Sequence, residues 1–385
     1  MWIDRFIGPR LTRAARTRPV VVLTGARQTG KTSLLRRLFP RFHFVSLDLP
    51  SEAEQAEKDP QAFLARHPRP LVIDKVQYAP GIFRHLKVVV DADRERAGQF
   101  ILTGSQRFGL MQEVGESLAG RVEIVEIEPL SWREIAAAPG PWSLERLLLR
   151  GGFPELYEKP GLESYHFYRS YIATYLERDV RTLLGVASLR DFERFLRACA
   201  LHSAQLLNKA DLARDVGISP STANQWLSVL EASGQVVLLE PWFSNRAKSL
   251  VKSPKLYLSD TGLLGALLNI QTEEELRKSP LVGAIWEAFV FAELRKRECA
   301  RRGHWSINFW NDRRREVDFL IDRGGRYQLY DSKWTEHPST HDAASLLHLE
   351  ETLGPGQVVS RSLVCRARNR YPVAKGVNAL PLDQL

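Results

Sequence analysis

Short apolar runs alternate with helical segments along the first third of the chain. The run Val20–Thr24 leads into a glycine-rich loop, and similar runs lie at residues 42–47, 71–74, 100–103 and 122–127. Apolar runs of this length that alternate with helices are typical of the buried strands of a parallel sheet. The pattern therefore predicts an α/β domain with a parallel sheet over residues 1–135.

The apolar pattern changes twice after this domain. Residues 165–201 show helical spacing with many arginines and aromatic residues, so a helical lid or linker is expected at 136–200. The last part, 271–385, begins with a helical segment and continues with strand-like runs at 317–321 and 327–330. This part is predicted to be a second α/β domain.

Between these parts, the spacing of capping residues indicates a helix-turn-helix. Asn208 is suited to cap a first helix, and Ser219 followed by Pro220 is suited to begin a second one. A strand-like run at 235–240 follows the second helix. Together these elements predict a winged helix-turn-helix over residues 201–270.

The composition is that of a folded protein with an excess of positive charge. Hydrophobic residues make up 44% and charged residues 26% of the 385 residues, which excludes an intrinsically disordered chain. The formal net charge of +9 favours a polyanionic partner. No apolar stretch approaches the roughly 20 residues that a membrane helix needs, and the start lacks a cationic leader. A cytoplasmic protein without a membrane partner is therefore expected.

Cysteine and histidine do not indicate a metal site. Cys199, Cys299 and Cys365 are far apart in the sequence, which favours reduced, buried thiols. His337 and His341 are four residues apart, but the proline between them argues against a shared helix face.

The loop after the first strand carries the most specific motif. Residues 25–32 fit the pattern G-x-x-x-x-G-K-T between a strand and a helix, which is the context required of a P-loop. Its glycines let backbone N–H groups converge on phosphate oxygens, Lys31 meets the β- and γ-phosphates, and the Thr32 hydroxyl can ligate Mg²⁺. The motif predicts binding of ATP with Mg²⁺ by Gly25, Ala26, Arg27, Gln28, Thr29, Gly30, Lys31, Thr32 and Ser33.

Polar residues also follow two other predicted strands. Asp74 ends the run 71–74, the position of the carboxylate that holds Mg²⁺ through water opposite a P-loop. Asp74 and Thr32 are therefore the predicted magnesium residues. Ser105 follows the run 100–103 and is placed to contact the γ-phosphate, although an ordinary strand-end turn explains it equally well.

Motifs spread over almost the whole chain resemble those of one protein family. They are the segments 23–32, 102–105, 118–121, 128–131, 151–155, 175–180, 252–257, 259–263 and 316–319. Together they are similar to a bacterial and archaeal family of AAA+-type ATP-binding proteins with a C-terminal domain of unknown function. The resemblance implies an AAA+-like P-loop domain, a winged-helix module and a nuclease-like C-terminal domain.

The pair Asp74-Lys75 departs from this family. Relatives usually carry Asp-Glu at these positions, and that glutamate polarises the attacking water. A lysine amine at pH 7 cannot act as a general base unless its pKa is strongly depressed. The resemblance therefore implies ATP binding, whereas the departure predicts slow or absent hydrolysis.

The C-terminal domain of the family looks like the PD-(D/E)xK nuclease fold. Its catalytic positions correspond here to Glu287, Asp318, Asp331 and Lys333, with Asp331-Ser332-Lys333 where relatives usually have Glu-x-Lys. Strand alternation independently places Asp318, Asp331 and Lys333 on one face. Asp318 and Asp331 can then hold Mg²⁺ at a scissile phosphate while Lys333 stabilises charge. A salt-bridge cluster on a fold reused for binding is the alternative.

The predicted second helix of the helix-turn-helix carries no Lys or Arg. Asn224 and Gln225 can hydrogen bond to adenine edges, and cations further along the chain can meet phosphates. Winged helices also serve as lids and protein-docking modules, so DNA contact and protein docking both stay open. Trp226 is expected in the core. The cations are Arg246, Lys248, Lys252 and Lys255.

Three functional hypotheses follow from these features. The first is a nucleotide-dependent switch associated with DNA, and the second is a Mg²⁺-dependent DNA nuclease gated by nucleotide. The third is a non-catalytic regulator that binds another protein. An oligomer is compatible with each of them, and Arg121 and Arg178 are the candidates for an arginine finger.

Overall fold

The computed structural model describes most of the chain and divides into two compact units. The described residues are 2–104, 114–138, 140, 142–176, 189–243, 253–301, 303–354 and 356–385. Unit 1 comprises residues 1–130, 153–158 and 232–234. Unit 2 comprises residues 131–152, 159–231 and 235–385.

Helices and strands are numbered here in chain order. Up to residue 158 they are α1 (Gly8–Thr17), β1 (Val20–Thr24), α2 (Lys31–Leu38), β2 (His43–Ser46), α3 (Pro50–Lys58), α4 (Pro60–Arg66), β3 (Leu71–Asp74), α5 (Ile82–Asp91), β4 (Phe100–Thr103), β5 (Val122–Glu126), α6 (Trp132–Ala136), α7 (Leu144–Arg150) and α8 (Pro154–Glu158). From residue 164 onwards they are α9 (Ser164–Tyr171), α10 (Leu189–Leu201), β6 (Gln205–Leu206), α11 (Lys209–Val216), α12 (Pro220–Ala232), β7 (Val236–Leu239), β8 (Lys255–Leu258), α13 (Thr261–Leu267), α14 (Glu273–Lys278), α15 (Val282–Ala300), β9 (Ser306–Asn311), β10 (Glu316–Asp322), β11 (Tyr327–Ser332), α16 (Ala344–Leu353), β12 (Val358–Cys365), β13 (Tyr371–Ala374) and β14 (Val377–Pro381).

Unit 1 is built on a five-stranded sheet in the order β2-β3-β4-β1-β5. Every neighbouring pair is parallel, as the alternating apolar runs predicted. Strands β1, β3 and β4 are buried along their whole length. Val20 and Val22 pack into one hydrophobic cluster, while Val21 and Leu23 pack into another, because successive strand side chains point to opposite faces. The sheet is therefore covered on both faces.

The parallel arrangement decides where the polar residues of unit 1 meet. The carboxyl ends of parallel strands lie at the same edge of a sheet, and ligands of α/β folds bind outside that edge. The P-loop follows β1, Asp74 ends β3, and Thr103 ends β4. Three separate segments of the sequence are thereby brought to one edge of the sheet.

Unit 2 contains two further sheets. The larger has the order β13-β14-β12-β11-β10-β9, with parallel pairs β11–β12 and β12–β14 and antiparallel pairs elsewhere. Helix α16 packs on it through Leu346 and Leu349, which belong to a cluster with Val317 and Leu329. The smaller sheet, β6-β8-β7, is antiparallel. A second domain with a sheet in the last part of the chain is thus present.

The capping residues predicted for the helix-turn-helix are found in the structure. The Asn208 side chain accepts hydrogen bonds from the backbone N–H groups of the first turn of α11. Ser219 Oγ accepts from Thr222 N at 3.0 Å at the start of α12. Trp226 is 5% exposed and contacts two phenylalanine rings of α10, so it is a core residue as expected. The winged helix-turn-helix assignment itself stays a prediction.

Two further expectations concern thiols and membrane helices. Cys199, Cys299 and Cys365 are free and buried, as their spacing predicted. Among the residues that the structure describes, no helix combines the length and the apolar character needed to span a membrane.

Candidate functional site

The P-loop of unit 1 has a backbone that requires glycine at two positions. Gly25 has φ 143°, and a Cβ atom there would lie 2.2 Å from the carbonyl oxygen of Ile127. Gly30, directly before α2, has φ 86°, a left-handed conformation that glycine adopts without steric strain. Both glycines of the motif are therefore explained by the path of the loop around the phosphate-binding position.

Lys31, the first residue of α2, points back into the loop. Its side chain is almost fully buried, and Nζ donates hydrogen bonds to the carbonyl oxygens of Gly25 at 2.9 Å and Ala26 at 2.6 Å. Burial, followed by the charges of Lys75 and Arg27, lowers the pKa of Lys31 to about 7, although Asp74 opposes the shift. The loop therefore places too little negative charge around this amine to keep its pKa at the ordinary value. The phosphates of a bound nucleoside triphosphate would supply that negative charge.

The two predicted magnesium residues are in direct contact. Thr32 Oγ1 donates to Asp74 Oδ2 at 2.9 Å, and Thr103 Oγ1 donates to the other carboxylate oxygen of Asp74. Hydroxyl and carboxylate oxygens are the kinds of atom that bind Mg²⁺, directly or through water. The donor set therefore fits Mg²⁺, with Thr103 orienting the carboxylate of Asp74.

A cavity of about 360 Å³ opens next to the P-loop. The cations Arg5, Arg27, Lys31 and Lys75 line it, together with Glu155 and Glu158 of α8. Arg5 is held in place by hydrogen bonds to the carbonyl oxygens of Thr29 at 2.9 Å and Glu128 at 2.5 Å. Four cations around one cavity suit a polyanionic ligand such as a nucleoside triphosphate.

The structure places the other predicted nucleotide residues as follows. Gln28, Gly30, Thr32 and Ser33 line the cavity. Thr29 is buried, and its hydroxyl bonds to the carbonyl oxygen of Ala26 at 2.9 Å. Ser105 and the arginine-finger candidate Arg178 lie outside the described residues.

Some of the cavity residues were not predicted from the sequence. Arg5, Glu155 and Glu158 come from segments distant from the P-loop. Glu155 belongs to the segment 151–155 that resembles the family, but that motif predicted no place beside the P-loop. Arg121, the other arginine-finger candidate, pairs through Nε with Asp91 at 2.6 Å and is not among the residues that line the cavity.

Unit 2 contains a group of acidic side chains that we call the carboxylate cluster: Glu287, Glu316, Asp318 and Asp331. Asp318 on β10 and Asp331 on β11 are hydrogen bonded to each other. Lys333 Nζ lies 3.2 Å from Asp331 Oδ2. Glu287 reaches the cluster from α15. The structure therefore brings together all four residues that the sequence assigned to the nuclease-like site.

A lysine that was assigned elsewhere joins this group. Lys255, the first residue of β8, is 2% exposed, and its Nζ lies 2.9 Å from Glu287 Oε1, 2.5 Å from Glu316 Oε1 and 3.7 Å from Asp318 Oδ1. The expectation that Lys255 meets DNA phosphates is therefore wrong, because its ammonium is buried among carboxylates. The other three cations of that expectation, Arg246, Lys248 and Lys252, lie outside the described residues.

The charges of the cluster control one another. Burial and the charge of Asp318 raise the pKa of Glu287 to about 7, against the opposing effect of Lys255. Burial and the neighbouring Asp318 raise the pKa of Asp331 well above its ordinary value. Burial alone lowers the pKa of Lys255, but the charges of Glu287, Asp318 and Glu316 outweigh it and raise that pKa. Lys255 is therefore an ammonium ion, and Asp331 is harder to ionise than Asp318 because the two carboxyl groups are neighbours.

Two further observations bear on predicted partners of unit 2. Among the described residues, no group of three or more His, Cys, Asp or Glu side chains has the geometry to hold a metal ion.

On α12, the amide oxygen of Asn224 accepts a hydrogen bond from Lys209 Nζ at 2.6 Å. A base contact by Asn224 therefore requires that this hydrogen bond be exchanged.

Comparison with known protein families agrees with the architecture of unit 1. Family models match three consecutive parts of the chain: an AAA domain at residues 17–136, a domain of unknown function (DUF8612) at 141–274, and a domain of unknown function (DUF4143) at 282–385. The parallel sheet, the P-loop and the AAA match define a nucleotide-binding protein of the P-loop ATPase class.

Full-length relatives identify the family within this class. The uncharacterized protein Rv2008c of Mycobacterium tuberculosis is 33% identical over 98% of this chain and 83% of its own length. The chain belongs to the family of AAA-domain proteins that includes this mycobacterial protein. An uncharacterized protein of Haemophilus influenzae is 23% identical over 86% of each chain. Among solved structures, the Walker-type ATPase paby2304 of Pyrococcus abyssi is similar with 18% identity and a TM-score of 0.49, over 69% of this chain and 96% of that chain.

Proposed function

We propose that this protein is a switch that binds ATP with Mg²⁺, hydrolyses it slowly and works in association with DNA. One observation carries the proposal: Lys75 lines the same cavity as the P-loop lysine. The bound nucleotide, with Mg²⁺ held at Thr32 and Asp74, supplies the negative charge that is missing around the amine of Lys31. A state that persists until nucleotide leaves is the expected behaviour of such a site.

Lys75 is the first residue after β3, and its backbone conformation determines where its side chain lies. Its backbone adopts a left-handed conformation with φ 63°, and its N–H donates to Thr103 Oγ1 at 3.3 Å. A residue other than glycine in this conformation costs about 1–3 kcal/mol and is often found at functional sites. An ammonium here attracts the phosphates but cannot take a proton from water, so binding and hydrolysis are separated.

The proposal is tested by restoring a carboxylate at this position. Lys75→Glu is expected to raise the rate of phosphate release from ATP by about 10²–10⁴-fold, the usual contribution of a general base. Lys75→Met is the matched control, because it removes the ammonium without adding a base. The rate is measured at saturating Mg-ATP, with nucleotide affinity determined for each protein.

A rapid wild-type rate that Lys75→Glu leaves unchanged would overturn the proposed slow hydrolysis. In that case Glu155 and Glu158, which line the cavity, are the carboxylates to examine. If Glu155→Gln or Glu158→Gln then abolished turnover, α8 would carry the base, and the protein would be an ordinary ATPase.

The DNA association rests on the net charge of +9 and on the caps of α11 and α12, which form the predicted helix-turn-helix. The alternative in which unit 2 only docks another protein stays open, since α12 carries no Lys or Arg. The nuclease alternative depends on the carboxylate cluster and is favoured by the contact between Asp318 and Asp331. Lys255 opposes it.

A further inference from the structure

Lys255 lies on a strand that carries none of the residues of the carboxylate cluster. Strand β8 belongs to the small sheet of unit 2, whereas Glu287 lies on α15 and Glu316 and Asp318 lie on β10. The ammonium reaches all three carboxylates, and the ring of Phe309 lies 5.7 Å from it. A buried lysine with three acidic neighbours holds the central position of the group.

Two lysines supply positive charge to the cluster without any added ion. Lys255 Nζ pairs with Glu287, Glu316 and Asp318. Lys333 Nζ lies 3.2 Å from Asp331 Oδ2. Buried carboxylates need a neighbouring cation to stay ionised, and an ammonium satisfies that need as a metal ion would.

Two of the carboxylate oxygens that a metal ion could use already have hydrogen-bond donors. Glu287 Oε1 accepts from Lys255 Nζ at 2.9 Å and from Tyr257 OH at 2.6 Å. Asp318 Oδ2 accepts from both the backbone N–H and the hydroxyl of Ser332, each at 2.8 Å. A divalent cation at about 2.0–2.2 Å from Glu287 Oε1 would take the place of the ammonium and its hydrogen bond. A cation at Asp318 Oδ2 would have to displace the two hydrogen bonds from Ser332. The ammonium and a metal ion therefore compete for Glu287.

We propose that the ammonium of Lys255 is the resident cation of the carboxylate cluster and keeps divalent metal ions out of it. The cluster then joins β8 to α15 and β10, and it does not cleave nucleic acid. Removal of Lys255 opens a latent divalent metal site at Glu287, Glu316 and Asp318. This inference is independent of the nucleotide site in unit 1.

Binding of Mn²⁺ to the nucleotide-free, full-length protein tests the proposal by titration with EPR detection of free Mn²⁺. Asp318→Asn is expected to leave the Mn²⁺ binding of the wild type unchanged. Lys255→Ala is expected to gain one Mn²⁺ per chain, at least about tenfold tighter than any wild-type binding. The added substitution Asp318→Asn should remove that gained site.

Lys296→Ala is the matched control. Lys296 is also a poorly exposed lysine of unit 2, and its Nζ pairs with Glu293 at 2.9 Å, outside the carboxylate cluster. Its removal should create no Mn²⁺ site. Gain of the same site in Lys296→Ala would mean that any lost buried ammonium has this effect, which contradicts a specific role for Lys255.

Folding of the variants is followed in the same experiment. Lys255→Ala leaves uncompensated buried carboxylates, so its melting temperature should fall, and Mn²⁺ should raise it again because the ion binds only the folded chain. If Lys255→Ala does not fold, Lys255→Met keeps the apolar stem and takes its place. Wild-type Mn²⁺ binding that Asp318→Asn abolishes, or no gained site in a folded variant, would overturn the proposal.

Discussion

At the scale of single residues, lysines at three positions lie in different electrostatic environments. Lys31 donates hydrogen bonds to loop carbonyl oxygens, which are weaker acceptors than phosphate oxygens. Lys75 lines the same cavity. Lys255 lies far along the chain, in unit 2, and neutralises carboxylates. The ammonium of Lys31 thus has carbonyl acceptors, whereas that of Lys255 has carboxylate partners.

The role of Lys31 predicts a loss of nucleotide affinity on truncation. Lys31→Ala removes a charge-assisted hydrogen bond to the β- and γ-phosphates, which is worth about 1.5–3 kcal/mol, or roughly 10–150-fold in affinity. Calorimetric titration with Mg-ATP measures the change. Lys58→Ala, which alters an exposed ion pair of unit 1 with Glu54, should bind as the wild type does. Equal binding by Lys31→Ala and wild type would contradict the assignment of the P-loop.

At the scale of elements, Asp260 ties three segments of unit 2 together. It caps α13 by accepting from Leu263 N at 3.0 Å, and it also accepts from Tyr168 OH at 2.7 Å and Gly152 N at 2.7 Å. A Cβ atom at Gly151 would lie 2.1 Å from the Tyr168 hydroxyl, so glycine is required there. The end of α7, helix α9 and helix α13 therefore depend on one carboxylate.

Replacement of this carboxylate should destabilise unit 2 strongly. Asp260→Ala leaves two backbone N–H groups without their acceptor in a site that is 3% exposed, and the Tyr168 hydroxyl keeps only the carbonyl oxygen of Arg150. A loss of about 3–5 kcal/mol in unfolding free energy is therefore expected. Asn208→Ala removes an exposed cap of α11 and should cost about 1 kcal/mol. Urea denaturation followed by circular dichroism compares the two. Similar losses would show that Asp260 acts only as a helix cap.

At the scale of the whole molecule, nucleotide chemistry and the excess positive charge are the features that suggest a DNA-linked switch. The P-loop and its cavity lie within unit 1, while the capped helices α11 and α12 and the carboxylate cluster belong mainly to unit 2. A switch requires that nucleotide binding change the affinity for the second ligand, and such coupling is reciprocal.

Association with DNA should show the salt dependence of counterion release. The logarithm of the binding constant is expected to fall linearly with the logarithm of salt concentration, with a slope of about −0.9 per phosphate contacted. Fluorescence anisotropy with a labelled duplex at about 50–200 mM salt measures the slope. Saturating ATP should change the affinity by about 5–150-fold, and this change should be lost in Lys31→Ala. Absence of DNA binding at low salt would favour the protein-binding regulator.

Features carried by neighbouring residues were determined by the sequence itself. The P-loop, the parallel strands of unit 1 and the caps at Asn208 and Ser219 depend on local spacing and on the periodicity of apolar residues, so they could be predicted. Strand alternation also predicted that Asp318 and Asp331 share one face of their sheet. These features depend on residues a few positions apart or on the alternation of side chains along a strand, and both can be read directly from the sequence.

Only the tertiary structure decided what lies beside these features. Arg5 and Glu155 reach the nucleotide cavity from segments that no motif connects with the P-loop. Lys255 has the same side chain as an exposed DNA-binding lysine, and the sequence contains no sign of its burial because Glu287 and Glu316 are 32 and 61 residues further along. The energy of a buried charge depends on groups brought near by folding, and their distances in space are unrelated to their separation in the chain.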